Sequence, residues 1–206
     1  MLSLVRAVSE LVHIAYIRQK EALGLGHAIL VAKDLMNGEP FAVLLGDDVI
    51  ISEVPCIRQM MDIYEENETS IVALMEVPME ETSRYGIIKG RQIPGCDGRL
   101  FEVLDMVEKP SVQEAPSNLA IIGRYILNPS IFDVLARTER GSGGEIQLTD
   151  GLRGLLGRER VLAYRFNGKR HDAGDKLGFL KATVEFALQN EELGPEFRSY
   201  LKSLRF

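Results

Sequence analysis

The sequence predicts an α/β protein with a doubly wound sheet, and three observations carry that expectation. Its 206 residues are 46% hydrophobic and 26% charged, the balance of a soluble globular chain long enough to bury a substantial core, most simply as one domain. Apolar runs at residues 41–45 and 70–77 read as strands, the first as a parallel strand buried on both faces. Around them apolar residues recur at helical spacing, so strand, helix, strand units repeat.

In chain order, residues 2–12 carry apolar positions at helical spacing and lead into a short β-prone run at 14–18, which predicts a helix and then a strand. Leu25, Ala28, Ile29, Ala32, Leu35 and Met36 follow the i, i+3, i+4, i+7 rule, and Asn37, Gly38 and Pro40 end that helix. The 41–45 strand is closed by Gly46, Asp47 and Asp48. A second helix should turn Val54, Ile57, Met61 and Tyr64 to one side before the 70–77 strand. Residues 85–89, 100–107 and 119–127 are strand candidates separated by Gly-rich or Pro-containing turns, and these are expected to add antiparallel strands. A Gly-rich loop at 141–144 precedes a short helix near 148–156, and 161–166 reads as the last strand. The C-terminus reads as two helices, one with an apolar stripe of Leu177, Leu180, Val184, Ala187 and Leu188, the next with Phe197, Leu201 and Leu204.

Charge and cysteine content exclude some functions. A formal net charge of -6 and a pI near 5.2 argue against a nucleic-acid surface, which requires clustered Lys and Arg. Cys56 and Cys96 stand in unrelated contexts, so neither a disulfide framework nor a zinc knuckle is suggested. Arg6 and Glu10 interrupt the N-terminal apolar positions, which leaves no signal h-region and no membrane span. The expected place of work is the cytoplasm, away from membranes.

Several residues can carry chemistry, and each has a plainer reading beside it. Asp47 and Asp48 follow a strand, where open α/β sheets bind ligands, and two carboxylates suit a hard cation that completes its shell with phosphate and water. They can equally cap the next helix or shape a turn. Glu108 and Lys109 end another strand, where Glu accepts sugar hydroxyls and Lys neutralises a phosphate, or both are simply solvated. Gln19, followed by Gly24 and Gly26, places an amide and flexible backbone where a pyrimidine edge can be read, or merely forms a turn before a helix. Asp172 follows the 161–166 strand and precedes Gly174, a position open to a metal cluster or to a turn. The loop at 143–150 signals little by itself.

In order and spacing, the segments RQKEALGLGHA (18–28), FAVLLGDD (41–48), RYGII (84–88), VEKP (107–110), SNLAIIGRYIL (117–127), GEIQLTD (144–150) and GKRHDAGDKLG (168–178) together resemble the bacterial UTP:glucose-1-phosphate uridylyltransferases. The resemblance implies a Rossmann-like mixed, mainly parallel sheet with flanking helices, the nucleotide-diphospho-sugar transferase fold. It implies a single nucleotidyltransferase domain over 1–206, incomplete at its N-terminus, with C-terminal helices over about 176–206. The implied reaction converts UTP and glucose 1-phosphate to UDP-glucose and pyrophosphate with Mg2+ and no organic cofactor. Position by position, Gln19 and Gly24 would read the uracil, Gly86 and Glu108 would hold glucose hydroxyls, and Lys109 would hold the sugar phosphate. Asp47 and Asp172 would bind the metal, with Lys109 and Asp47 central to catalysis. No general base is required, because the attacking phosphate is already ionised.

Two departures accompany the resemblance. His171 stands where the family usually has an aromatic residue, a substitution expected to be harmless. The family's opening strand and Gly-x-Gly-Thr-Arg loop have no counterpart before Gln19, so the chain alone is expected to have little or no activity. The alternatives are a thymidylyltransferase-type relative, or a non-catalytic subunit that binds a sugar nucleotide and serves regulation or assembly. Like the family, the chain is expected to form a homo-oligomer, dimer or tetramer, through its apolar C-terminal helices.

Overall fold

The structure, a computed structural model, describes residues 11–205. The helix expected over 2–12 therefore lies almost wholly outside the described residues. In chain order the elements are α1 (Leu25–Val31), α2 (Lys33–Met36), β1 (Phe41–Leu44), β2 (Asp48–Ile51), α3 (Cys56–Asn67), β3 (Ile71–Glu76), β4 (Gly86–Gln92), β5 (Leu100–Glu108) and β6 (Leu119–Leu127). There follow α4 (Ser130–Leu135), α5 (Leu148–Leu155), β7 (Leu162–Arg165), β8 (Lys169–Asp172), α6 (Lys176–Gln189) and α7 (Gly194–Ser203).

Six strands build the main sheet in the order β1-β6-β3-β7-β5-β4, while β2 and β8 form a separate two-stranded ribbon. The sheet is mixed, as the resemblance implies. The pairings give β1, β3, β7 and β4 one direction and β5 and β6 the other. Because β5 and β6 intervene, β3 and β7 form the one parallel ladder among the described residues. These two central strands are the ones buried on both faces. Residues 71–74 of β3 and Leu162 and Ala163 of β7 have no exposed surface, which explains why their sequence runs apolar without alternation.

Three expectations are corrected. Residues 14–18 are not a strand: Ile14 and Tyr16 are exposed and find no partner among the described residues, and β-prone side chains make a strand only when a neighbour supplies the ladder. The 41–45 run is not buried on both faces. As β1 it pairs antiparallel with β6 on one side only among the described residues and alternates half-buried with exposed residues, as an edge strand does. The 161–166 strand is not the last, since β8 follows; its sequence Lys-Arg-His-Asp lacks the apolar signal by which strands are recognised.

Helix faces are offset from the sequence reading as well. On α3 the core side is Cys56, Met60 and Ile63, flanked by Ile57 and Tyr64, while Val54 and Met61 are exposed. Full burial of Met60 alone stabilises by about 1.5–3 kcal/mol. Leu135 of α4 and Leu148, Leu152 and Leu155 of α5 complete the larger core on the other face of the sheet. The Asp175 side chain caps α6 by accepting from the Gly178 N–H at 2.9 Å. Only Ala182 of that helix is buried, so the expected stripe, with Leu177 and Leu180 more than half exposed, is not closed by this chain's described residues.

Candidate active site

The ribbon of β2 and β8 meets the main sheet at Gly123 of β6, through Asp48, and brings two parts of the chain together. Its register sets Asp48 opposite Asp172, and the Ala173 N–H donates to the Asp47 carbonyl at 2.7 Å. Strand alternation places Arg170 and Asp172 on one face of β8 and His171 on the other. His171 is buried towards α6, its ring 6.4 Å from that of Phe186 and its Nε2 3.4 Å from Glu185. The departure at this position thus sits away from the ribbon face that carries Asp172.

The two adjacent aspartates have different surroundings. Asp48 is 3% exposed; its Oδ2 accepts the Gly123 N–H, and its Oδ1 accepts the Arg170 Nε–H with Nη2 of the same guanidinium ion-paired beside it. Gly123 is dictated by that approach, since a Cβ there would lie 2.6 Å from both Asp48 Oδ2 and the Leu45 side chain. Asp47, in the turn before β2, keeps its carboxylate on the cavity wall. A Cβ built on Gly174 would lie 3.0 Å from Asp47 Oδ2 and 3.2 Å from Asp172 Oδ1, so both carboxylates border one spot. Asp172 is oriented by the Gly174 and Asp175 N–H groups at 3.1 and 3.3 Å and by Arg170 and Arg84 at 3.3 and 3.7 Å.

Arg170 holds this corner together. Its side chain is 9% exposed, lies 5.4 Å over the Tyr85 ring, and donates to the Tyr85 hydroxyl at 3.3 Å. Burial works against its charge, but the hydrogen bond and charge of Asp48, with Tyr85 and Asp172, outweigh that and raise its pKa.

A cavity of about 210 Å³ opens here, and its wall includes Asp47, Asp48, Asp172, Arg84, Tyr85, Gly86, Glu108, Tyr125, Thr149 and Arg170. Glu108 reaches it from the end of β5, where it pairs with Gly86 at the start of β4. Its Oε2 accepts from Thr149 Oγ1 at 2.7 Å, and its Oε1 lies 3.7 Å from Lys109 Nζ. Buried Tyr125 stays a neutral phenol, its pKa raised by burial and by the charges of Glu108 and Asp48. Of the resemblance-implied site residues, the structure thus brings Asp47, Gly86, Glu108 and Asp172 to one wall.

Lys109, Gln19 and Gly24 do not line that cavity, although Glu108 and Leu25, chain neighbours of Lys109 and Gly24, do. Lys109 follows Glu108 in the left-handed region at φ 46°, its N–H donating to the Tyr85 carbonyl at 2.9 Å and its side chain largely exposed. Gln19 Nε2 donates to the Gly24 carbonyl at 3.1 Å and lies 2.8 Å from His27 Nδ1. Gly24 (φ 94°) has a packing reason of its own, because a Cβ would come within 2.7 Å of Glu145 Cβ and 2.9 Å of the Ile146 carbonyl. Hydrogen bonds Gly26 N to Ile146 O and Ile146 N to Leu23 O staple this segment to the loop before α5, which carries Gln147, Leu148 and Thr149 to the cavity.

Sequence reasoning missed Arg84, Tyr85, Thr149 and Arg170 as cavity residues. Arg170 gave no usable signal, since its place beside Asp172 on one face depends on a strand whose sequence, Lys-Arg-His-Asp, carries no apolar pattern. Thr149 gave none, since its value depends on a contact with Glu108, 41 residues distant.

Electrostatically, Arg170 neutralises Asp48, which leaves Asp47, Asp172 and Glu108 facing Arg84. A phosphate group entering alone would meet excess negative charge. Two carboxylates bordering one spot fit a hard divalent cation that takes its other ligands from phosphate and water, and such an ion reverses the sign of the field. Among the described residues no group of three or more acidic, His or Cys side chains is arranged to hold an ion by itself. A wider cavity of about 730 Å³ between α3 and the 95–99 turn is lined by Glu53, Asp62, Glu66 and Asp97, with Arg99 as the one cation in its wall among the described residues; that excess of carboxylates makes it the poorer phosphate site.

The nucleotidyl transferase family model matches residues 2–189. UTP–glucose-1-phosphate uridylyltransferase of Bacillus subtilis strain 168 is 49% identical over 204 residues, covering 99% of this chain and 69% of the relative. Its counterpart in Staphylococcus epidermidis RP62A is 47% identical over 205 residues, with 99% and 70% covered. Among solved structures, UDP-glucose pyrophosphorylase complexed with UDP-glucose superposes with a TM-score of 0.87 at 45% identity, over 92% of this chain and 71% of that one. The UTP-bound enzyme of Acinetobacter baumannii gives 0.86 at 34% identity, over 99% and 72%. A glucose-1-phosphate thymidylyltransferase of Bacillus anthracis, at 22% identity and TM-score 0.68, shares the fold alone. Enzymes of this kind generally use a divalent metal, which agrees with the paired carboxylates. The chain is a member of the nucleotidyl transferase family, within its UTP–glucose-1-phosphate uridylyltransferase branch.

Proposed function

We propose that the chain serves the formation of UDP-glucose and pyrophosphate from UTP and glucose 1-phosphate with Mg2+, as one nucleotidyltransferase domain working in the cytoplasm and with little activity on its own. The observation that carries this reading is the meeting of Asp47, Asp172, Gly86 and Glu108 on one cavity, from segments up to about 125 residues apart in the sequence. A cavity of about 210 Å³ is below the ~300–1,000 Å³ of a drug-sized ligand site, which suits the sugar end of UDP-glucose with the nucleotide lying outside it.

In this reading Asp47 and Asp172 hold Mg2+, which neutralises phosphate charge when bound. Glu108 accepts hydrogen bonds from glucose hydroxyls, and Gly86 leaves them room. Lys109 meets the sugar phosphate as a point charge. Gln19 and Gly24 read the uracil edge, using the amide that now bonds the Gly24 carbonyl. The residues align two anions and offset their charge, so that the phosphate oxygen of glucose 1-phosphate can attack the α-phosphorus of UTP and pyrophosphate can leave. The exposed apolar residues of α6 and α7 supply the contacts of a homo-oligomer, dimer or tetramer.

Calorimetric titration of UDP-glucose into the protein with Mg2+ tests the reading. Saturable binding that UTP and glucose 1-phosphate each compete away, and that EDTA weakens, is the expected result. Absence of binding, or equal binding of a purine sugar nucleotide such as GDP-mannose, overturns it.

A further inference from the structure

We infer that Thr149, at the start of α5, is a specificity-determining residue that makes the sugar end of the cavity accept hydroxyl donors only. The inference rests on the reading that this cavity holds the hexose of UDP-glucose. Thr149 is 8% exposed and lines the cavity beside Glu108 and Gly86. Its hydroxyl has a single proton, and the geometry commits that proton to Glu108 Oε2 at 2.7 Å. What remains facing the cavity from this pair is then acceptor capacity: the lone pairs of Thr149 Oγ1 and of Glu108. A ligand group here must bring its own protons. Sugar hydroxyls do so, whereas a phosphate oxygen or an ether cannot.

The same contact fixes the Glu108 rotamer and dictates its neighbour. A Cβ on Gly86 would lie 2.7 Å from Thr149 Oγ1 and 3.2 Å from Glu108 Oε2, so β4, β5 and α5 converge as closely as their backbones allow. The carboxylate is therefore held before the ligand arrives, which removes the entropy of ordering a glutamate on binding. The segment GEIQLTD, which by itself signals little, acquires a role through its threonine.

The test replaces the hydroxyl by a methyl group of the same size. Thr149→Val should weaken UDP-glucose binding at least about tenfold, because a hydrogen bond to a charged group is lost and Glu108 is released. Binding of UDP, which lacks the sugar, should be unchanged, and Thr149→Ser should restore UDP-glucose affinity to within about threefold of the parent chain. Equal weakening of UDP and UDP-glucose would assign Thr149 a purely structural part and overturn the inference, as would a Thr149→Val protein with undiminished preference for UDP-glucose over UDP. Should Thr149→Val fail to fold, Thr149→Ala carries the same comparison. If the parent chain itself fails to bind UDP-glucose, the proposed function falls first; if it binds and the variant matches it, only this inference falls.

Discussion

Replacing Arg170 by methionine removes one partner of the Asp48 ion pair while keeping most of the apolar stem. Both side chains are under 10% exposed, so the variant leaves the Asp48 carboxylate buried with the Gly123 N–H as its remaining strong donor. Breaking one side of a buried pair costs about 3–5 kcal/mol, far more than the ~0–1 kcal/mol of surface pairs such as Arg58–Asp62. For a chain of this size each kcal/mol moves Tm by about 2–4 °C, so a fall of roughly 6–20 °C is expected. Neutralising the other side should recover much of it, because Asp48→Asn in the Arg170→Met background leaves no unpaired buried charge. Urea titrations of the two single variants and the double variant give the coupling energy, expected near ~2 kcal/mol or more. An Arg170→Met loss below about 1 kcal/mol, or a double variant that simply sums the singles, would refute the claim that this pair organises the corner.

The left-handed backbone of Lys109 (φ 46°) costs a non-glycine residue about 1–2 kcal/mol. Lys109→Gly should therefore raise unfolding stability by up to about that amount while weakening UDP-glucose binding, and a variant that loses both stability and binding would show that the strain is not there. Cys56 is buried, and burial, with Arg124 opposing and Asp48 assisting, pushes its thiol from an ordinary 9.0 up to about 12, whereas Cys96 is exposed. Iodoacetamide at pH 8 should then label Cys96 alone in the native protein and both thiols after unfolding, as read by mass spectrometry. The unfolded chain loses the Cys56 proton first, so the stability contributed by the neutral thiol is whole below pH 9 and falls as pH rises towards 12; equal native labelling of the two cysteines would contradict this.

Much of the fold was legible because long apolar runs and helical spacing report burial directly. The central strands β3 and β7 and the helices α1, α3 and α5 were found that way. The ribbon of β2 and β8 was not, because its strands are short, half-polar and defined by pairing across about 120 residues. The edge position of β1 was equally hidden: a run such as Phe-Ala-Val-Leu is compatible with a buried or an edge strand, and only its neighbours decide. At the site, the resemblance named Asp47, Gly86, Glu108 and Asp172, which the structure gathers on one cavity, whereas the residues read by themselves could not divide labour between Asp47 and Asp48.

That division follows from charge arithmetic around one guanidinium. Arg170 takes Asp48 wholly and Asp172 partly, at 3.3 Å, and by holding both it fixes the ribbon at the register that sets Asp172 near Asp47. If Arg170 also satisfied Asp47, the corner would be neutral and would have little pull on a cation; if it left Asp48 unpaired, a buried carboxylate would stand without its counter-charge. Pairing one aspartate completely leaves Asp47 and part of Asp172 as negative charge on the cavity wall, which in the proposed reading holds a divalent ion together with the phosphates that ion accompanies.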